Sequence, residues 1–159
     1  MPEVYTVDSV IQIKRPAAEI YDFVSTPANW PGLHPDTIAV GGDTNHSETI
    51  GSRFVEVVRH PGRHSSGTPV LWEVTKSERP HLWEISLSGG SELVQQCVIT
   101  YTLVQQGEET RFSRHMVTVL QPDAKAKLKP ERLSSFQKSD VHDEYLRRVK
   151  AHLEGGVTA

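Results

Sequence analysis

The sequence predicts an α+β fold, in which a seven-stranded antiparallel sheet is followed by a long C-terminal helix. Residues 37–120 contain six short runs rich in Val, Ile, Thr, Trp and Tyr, which clusters of turn-forming residues separate. An alternating apolar segment precedes them, and residues 124–153, rich in Lys, Glu, Leu, Arg and Ala, follow them. Because the runs lie too close together for crossover helices, successive strands are expected to pair antiparallel.

Length and composition indicate one ordinary globular domain over residues 1–159. The chain is 36% hydrophobic and 23% charged, and its formal net charge of −3 makes nucleic acid a poor partner. Residues 1–13 include Glu3 and Asp8 and lack the apolar core of a signal peptide, and no segment approaches the roughly 20 apolar residues that cross a bilayer. We expect a cytoplasmic monomer or homodimer without membrane insertion.

Two short helices are predicted after the first strand. Residues 5–13 place mostly apolar side chains at every second position, as in a strand with one buried face. Pro16 suits the first turn of a helix, and apolar residues follow it at helical spacing, at Ile20, Phe23 and Val24. Thr26-Pro27 repeats this start signal, but Pro31 and Pro35 limit the second helix to one turn.

The C-terminal segment predicts one long helix over residues 131–154, with Pro130 at its start or at a kink and Gly155-Gly156 at its end. One face of this helix is polar in its N-terminal half and apolar in its C-terminal half, with Phe136 and Tyr145 beside it. Its members are Ser135, Ser139, His142, Leu146, Val149 and Leu153. The polar half either covers a partly hydrated cavity or overhangs into solvent.

Five segments carry a resemblance to a known superfamily, through their order and spacing along nearly the whole chain. They are RPAAEIYDFV (15–24), NWPGLHP (29–35), IGSRF (50–54), LWEV (71–74) and ETRF (109–112). The chain resembles the SRPBCC superfamily, also called START-like or helix-grip, and most of all its polyketide cyclase/dehydrase branch. The resemblance implies that the long helix closes a curved sheet over a cavity for a small hydrophobic ligand, such as a polyketide-like, aromatic or acyl molecule.

Two positions depart from that branch. Cyclases that resemble this chain often carry a tyrosine shortly after the Trp-Pro loop and an arginine in the third strand. The corresponding residues here are Thr37 and Glu56. These two differences weaken the assignment of this chain as a standard aromatase.

His34 and Glu56 are the candidate catalytic residues, because proton transfer at an enolisable carbon needs a group whose pKa is near neutral or a buried carboxylate. Glu56 faces the cavity if Phe54 and Val58 do, and faces solvent if Val55 and Val57 point inward. His34 either meets the ligand or hydrogen-bonds the backbone at a loop corner. The candidate substrate-binding residues are Trp30, Phe54, Trp72, Glu84, Tyr101, His115, Phe136 and His142.

We expect neither a metal nor a cofactor. His60 and His64 have a spacing that binds metal on a helix, but the intervening Pro61-Gly62 predicts a turn. The chain contains no glycine-rich phosphate loop, nucleophile elbow or Cys-x-x-Cys motif. The single cysteine, Cys97, lies in an apolar run and is expected in the core.

Three functions are consistent with these patterns. A cyclase/dehydrase would fold an acyl substrate against aromatic walls and catalyse its enolisation, aldol closure or dehydration. A carrier or sensor would bind a hydrophobic ligand without changing it. An interaction protein, like the chaperone-activating branch of the superfamily, would use an exposed sheet face and would lack a ligand-sized cavity.

Overall fold

A computed structural model describes residues 3–45, 48–59 and 67–155, which leaves His46, His60 and His64 outside the described residues. Within the described part of the chain, seven strands form one antiparallel sheet in the order β1-β7-β6-β5-β4-β3-β2. The strands are β1 (Val4–Ile13), β2 (Thr37–Gly42), β3 (Arg53–Val58), β4 (Thr68–Glu78), β5 (Leu82–Leu87), β6 (Val94–Gln106) and β7 (Glu109–Leu120). The predicted strand number and the antiparallel meander are confirmed.

The sheet buries one of its two faces. Since successive side chains of a strand point to opposite faces, alternate residues enter the core. In β5, Trp83 and Ile85 are buried, and in β7 the buried residues have even numbers, from Thr110 to Leu120. Register shifts interrupt β2, β4 and β6, and such bulges bend strands. The sheet is therefore curved, with an inner face that holds the core.

The segment after β1 forms helix α1 (Ala17–Val24) and then a single 3-10 turn (Pro27–Asn29), as predicted. Helix α1 buries one apolar face and is followed by Trp30, whose indole N–H donates to the carbonyl oxygen of Val24 at 3.0 Å. The backbone N–H of His34 donates to the carbonyl oxygen of Trp30 at 2.9 Å. These bonds hold the proline-rich loop at a fixed place beside the sheet.

The prediction of one helix over residues 131–154 is wrong in its first third. A 3-10 turn (Ala124–Lys127) and helix α2 (Pro130–Ser135) precede helix α3 (Asp140–Glu154). Serine favours helix ends over helix interiors, and Ser139 occupies the N-cap position of α3. The hydroxyl of Ser139 donates to the Asp143 carboxylate at 2.8 Å, and acidic side chains in a first turn suit the helix dipole. A new helix therefore starts at Asp140.

Helix α3 packs its apolar half against the sheet, where Leu146, Val149 and Leu153 are buried. The helix also packs along β1, where the amine of Lys150 donates to the carbonyl oxygen of Gln12 at 2.7 Å. None of the described helices is both long and apolar enough to span a membrane.

Substitution Leu146→Ala tests whether this contact anchors the helix. Leu146 is 1% exposed, so its truncation should lower the free energy of unfolding by about 2–5 kcal/mol. The neighbouring exposed Arg147, which pairs with Glu144 on the same helix, provides the control, and Arg147→Ala should change stability by less than about 0.5 kcal/mol. Urea denaturation measures both, and equal effects would contradict the anchoring role.

Candidate functional site

A cavity of about 540 Å³ lies between the inner face of the sheet and the C-terminal helices. This volume is within the range of pockets that take small organic ligands. Much of its wall is apolar, with contributions from Val58, Val70, Leu71, Trp72, Leu87, Leu93, Val94, Ile99, Met116 and Phe136. Its rim includes the exposed residues Gly89, Gly90, Ser91 and Glu92 between β5 and β6.

Glu56 points into this cavity from β3. The buried neighbours on the strand are the even-numbered ones, so Phe54 and Glu56 share the inner face and Glu56 is 6% exposed. The Thr37 hydroxyl donates to one carboxylate oxygen at 2.5 Å, and the Trp72 indole N–H donates to the other at 3.0 Å. The two positions that depart from the cyclase pattern, Thr37 and Glu56, thus bond to each other.

Burial raises the pKa of Glu56, while the hydrogen bonds from Thr37 and Trp72 and the charge of Arg114 act in the opposite direction. Since the net direction is upward, the carboxylate is a stronger base than an exposed glutamate.

His34 lines the same cavity from the loop after the 3-10 turn. Its Nδ1 accepts a hydrogen bond from the backbone N–H of Asp36 at 3.2 Å. A neutral histidine whose Nδ1 accepts must carry its proton on Nε2. Burial, and then the charge of Arg114, hold the pKa of His34 well below its usual value. His34 therefore both bonds the backbone and faces the cavity as a neutral donor.

Arg114, on β7, is a buried cation that lines the cavity. Its Nε donates to the Tyr101 hydroxyl at 3.3 Å, and its Nη1 bonds to Nδ1 of His142. The guanidinium carbon lies 5.7 Å from the ring centre of Tyr101 and 5.8 Å from that of Tyr145, which allows cation–π attraction. These contacts connect β6, β7 and α3 through one charged group.

His142 is neutral in this arrangement. Because a guanidinium only donates, the bond to Arg114 makes Nδ1 an acceptor and assigns the ring proton to Nε2. Nε2 lies 3.3 Å from the carbonyl oxygen of Ser135 and donates to it. Burial and the charge of Arg114 lower the pKa of His142 to about 4. Ser135 and His142 both line the cavity, whereas Ser139 bonds Asp143.

The structure brings five of the candidate residues to the cavity: His34, Glu56, Trp72, Phe136 and His142. Trp30, Phe54 and Tyr101 are buried but do not line it. They belong to an aromatic cluster around Trp83, in which Phe54 stacks at 6.4 Å and Tyr101 at 5.4 Å between ring centres. Trp30 meets Phe54 edge to face at 5.4 Å. These three residues belong to the buried core next to the site.

Glu84 and His115 point away from the cavity, contrary to their prediction as residues that face the ligand. Strand alternation is the reason, because Trp83 and Ile85 occupy the inner face of β5, and Arg114 and Met116 that of β7. On the outer face, Glu84 accepts hydrogen bonds from Thr75 at 2.9 Å and from Thr100 at 3.1 Å. His115 pairs there with Asp8.

Sequence reasoning missed Arg114 and Asp36. Arg114 alternates with Phe112 and Met116, so a charged residue interrupts the apolar inner face of β7, and this signal was visible in the sequence. Asp36 follows Pro35 in a loop, where the sequence carries no comparable signal. Cys97 is 8% exposed, as expected for the core, and also borders the cavity. Burial raises its pKa to about 11, which makes its thiol a poor nucleophile.

The pKa of His142 tests this arrangement directly. In the folded protein the pKa of the ring should be about 4, whereas in the unfolded chain it is about 6.5. As the pH falls from 6.5 toward 4, the unfolded state binds the proton first, so His142 contributes stability above this window that is lost within it. NMR titration measures the folded value.

Arg114→Gln should raise the pKa of His142, since it removes a positive neighbour. Arg111 is an exposed arginine on the same strand, and Arg111→Gln should leave the pKa of His142 unchanged. A wild-type value near that of a free imidazole would contradict the assignment.

Comparison with known proteins agrees with this fold. A protein called penitrem biosynthesis cluster 1 protein I, from Penicillium ochrochloron, is 36% identical over 149 residues, which cover 91% of this chain and 93% of that protein. Norcoclaurine synthase from Thalictrum flavum has a similar structure, with a TM-score of 0.69 at 13% identity, over 97% of this chain and 96% of that one.

The di-domain ARO/CYC StfQ of the steffimycin biosynthetic pathway has a TM-score of 0.77 at 12% identity, over 98% of this chain and 53% of that chain. At such identities these two likenesses concern the fold. Residues 5–154 match the family described as polyketide cyclase/dehydrase and lipid transport. The chain belongs to this family and, with it, to the SRPBCC superfamily.

Proposed function

We propose that the protein binds a small, largely apolar carbonyl compound in the cavity and catalyses proton transfer at the carbon beside the carbonyl group. Enolisation, aldol closure and dehydration all begin with this step. The observation that carries the proposal is that His34 and Glu56 line one apolar cavity with pKa values shifted in opposite directions. Such a pair supplies a base and a neutral hydrogen-bond donor at the same pH.

Glu56 acts as the base in this proposal. A raised pKa favours proton removal from carbon, because the carboxylate gains more from accepting the proton. The bonds from Thr37 and Trp72 use one lone pair on each oxygen, so each oxygen retains a lone pair. These two donors also fix the orientation of the carboxylate.

His34 acts as the donor to the carbonyl oxygen. The backbone of Asp36 occupies Nδ1, so Nε2–H is available to bond the oxygen on which negative charge develops. Glu56 takes the proton from carbon, and the electron pair of the broken C–H bond forms the enolate. Return of the proton to a new position completes an isomerisation, and attack of the enolate on a second carbonyl closes a ring.

The comparisons support small-molecule chemistry in a related cavity. The name of the fungal relative places it in a biosynthetic cluster for penitrem, and StfQ belongs to a biosynthetic pathway for steffimycin. The family description includes both cyclisation and lipid transport.

Deuterium exchange of acetophenone tests the proposed catalysis without the natural substrate. Wild-type protein in D₂O should accelerate incorporation of deuterium into the methyl group, measured by proton NMR. Glu56→Gln and His34→Gln should each reduce this acceleration by about 100-fold or more, as expected for loss of a general acid or base. Both replacements are polar, and circular dichroism would verify their folding.

Matched controls come from the opposite face of the sheet. Glu84→Gln and His115→Gln change the same residue types outside the cavity and should keep the wild-type rate. The absence of any acceleration by the wild type, or equal rates in all five proteins, would refute the proposed catalysis.

Carriage of an unmodified hydrophobic ligand is the second candidate function. It is favoured by the bonds that already engage His34 and Glu56 within the protein, because such bonds give polar groups a structural role. A carrier would bind the neutral dye Nile red without catalysing exchange. Ile99→Trp, which fills part of the cavity, should abolish this binding, whereas Val98→Trp on the outer face should not.

A further inference from the structure

Arg114 has an unusual position for a cation, since it is 6% exposed and lines a mostly apolar cavity. Within the described ranges no carboxylate forms an ion pair with it, and its bonding partners are the neutral groups Tyr101 and His142. A buried charge without an opposite charge in contact is costly. The site therefore favours an occupant that supplies negative charge.

The hydrogen-bond donors of Arg114 point to the same conclusion. A guanidinium has five N–H donors in a planar fork, and the bonds to Tyr101 and His142 use Nε and one donor of Nη1. Nη2 donates to no atom among the described residues. These donors can serve a ligand in the cavity that Arg114 lines, and a fork suits the two oxygens of a carboxylate.

The acidic residues of the cavity do not bond to Arg114. Glu56 is bonded to Thr37 and Trp72, and burial raises its pKa. Burial likewise raises the pKa of Asp36, against the charge of Arg59. Neither Glu56 nor Asp36 forms an ion pair with Arg114, whose bonds go to Tyr101 and His142, and an arginine stays charged at all ordinary pH values. The cavity therefore has a lasting positive pole at Arg114.

An apolar wall borders this pole. Met116 lies two residues along β7 on the same face, and Ile99 on β6 is its partner in the strand register. Both residues line the cavity. A ligand with an acidic group on Arg114 would thus place its hydrocarbon part against these side chains.

We propose that the cavity selects amphipathic carboxylates, with the carboxylate on the guanidinium of Arg114 and the apolar body on Ile99 and Met116. This inference rests on the proposed ligand-binding function and names the chemical class of its ligand. Arg114 is then the residue that determines ligand specificity and orientation, while His34 and Glu56 remain free for chemistry elsewhere on the bound molecule.

Naphthylacetate and naphthylacetamide test the proposal, because they share one shape and differ in charge. Isothermal titration calorimetry near neutral pH should show that the wild type binds the acid at least about tenfold more tightly than the amide, as charge-assisted hydrogen bonds predict. Arg114→Gln should remove this preference and leave the affinity for the amide within about threefold. Arg114→Lys, which keeps the positive charge but loses the planar fork of N–H donors, should retain part of the preference for the acid.

A measurement on the wild type covers the case in which Arg114 variants fail to fold. With a ¹³C-labelled carboxyl group, the bound acid should titrate at a lower pH than the free acid, since a nearby cation favours the anion. The matched control is Arg111→Gln on the outer face of β7, which should bind both compounds as the wild type does.

Equal affinities of the wild type for acid and amide would overturn this inference while leaving the proposed ligand binding intact. Retention of the preference in Arg114→Gln, with its loss in Arg132→Gln, would overturn it as well, because Arg132 also borders the cavity. Binding of neither compound, together with failure to bind Nile red, would contradict both the inference and the proposed function.

Discussion

The arrangement of this site depends on the burial of one guanidinium group. Arg114 extends from β7 toward the rings of Tyr101 and Tyr145 and bonds His142, so this charged group links the sheet to helix α3. Its charge lowers the pKa of His142 and of His34, in both cases after burial as the larger cause. Two histidines are consequently neutral donors in a cavity whose cation is permanent.

The uneven packing of helix α3 on the sheet leaves room for the cavity. The C-terminal half of α3 lies on the sheet through Leu146, Val149 and Leu153, and this part is tightly packed. Toward its N-terminus the helix presents His142 instead of an aliphatic residue, and residues 136–139 separate α2 from α3. The space left above Ile99 and Met116 is the cavity, with polar groups at its edges.

Much of the fold follows from the sequence because alternation and turn residues are local signals. The strand number, the two short helices and the antiparallel order were predictable on this basis. Which face of the sheet each residue points to was harder to predict, because the sequence does not show whether the odd or the even positions of a strand are buried. This left the position of Glu56 open, and it is why Glu84 and His115, which lie on the outer face, were expected in the cavity. Arg114 was detectable from its apolar neighbours, whereas the helix break before Asp140 has no proline or glycine in residues 131–139 to indicate it.

The proposed function requires an apolar ligand to occupy the space between Glu56, His34 and Arg114. NMR of the protein with bound acetophenone, using methyl-labelled isoleucine, valine and methionine, measures this most directly. The account predicts intermolecular NOEs from the ligand to the methyl groups of Ile99 and Met116, which line the cavity. NOEs confined to the exposed residues Val4 and Val10 of β1 would contradict it.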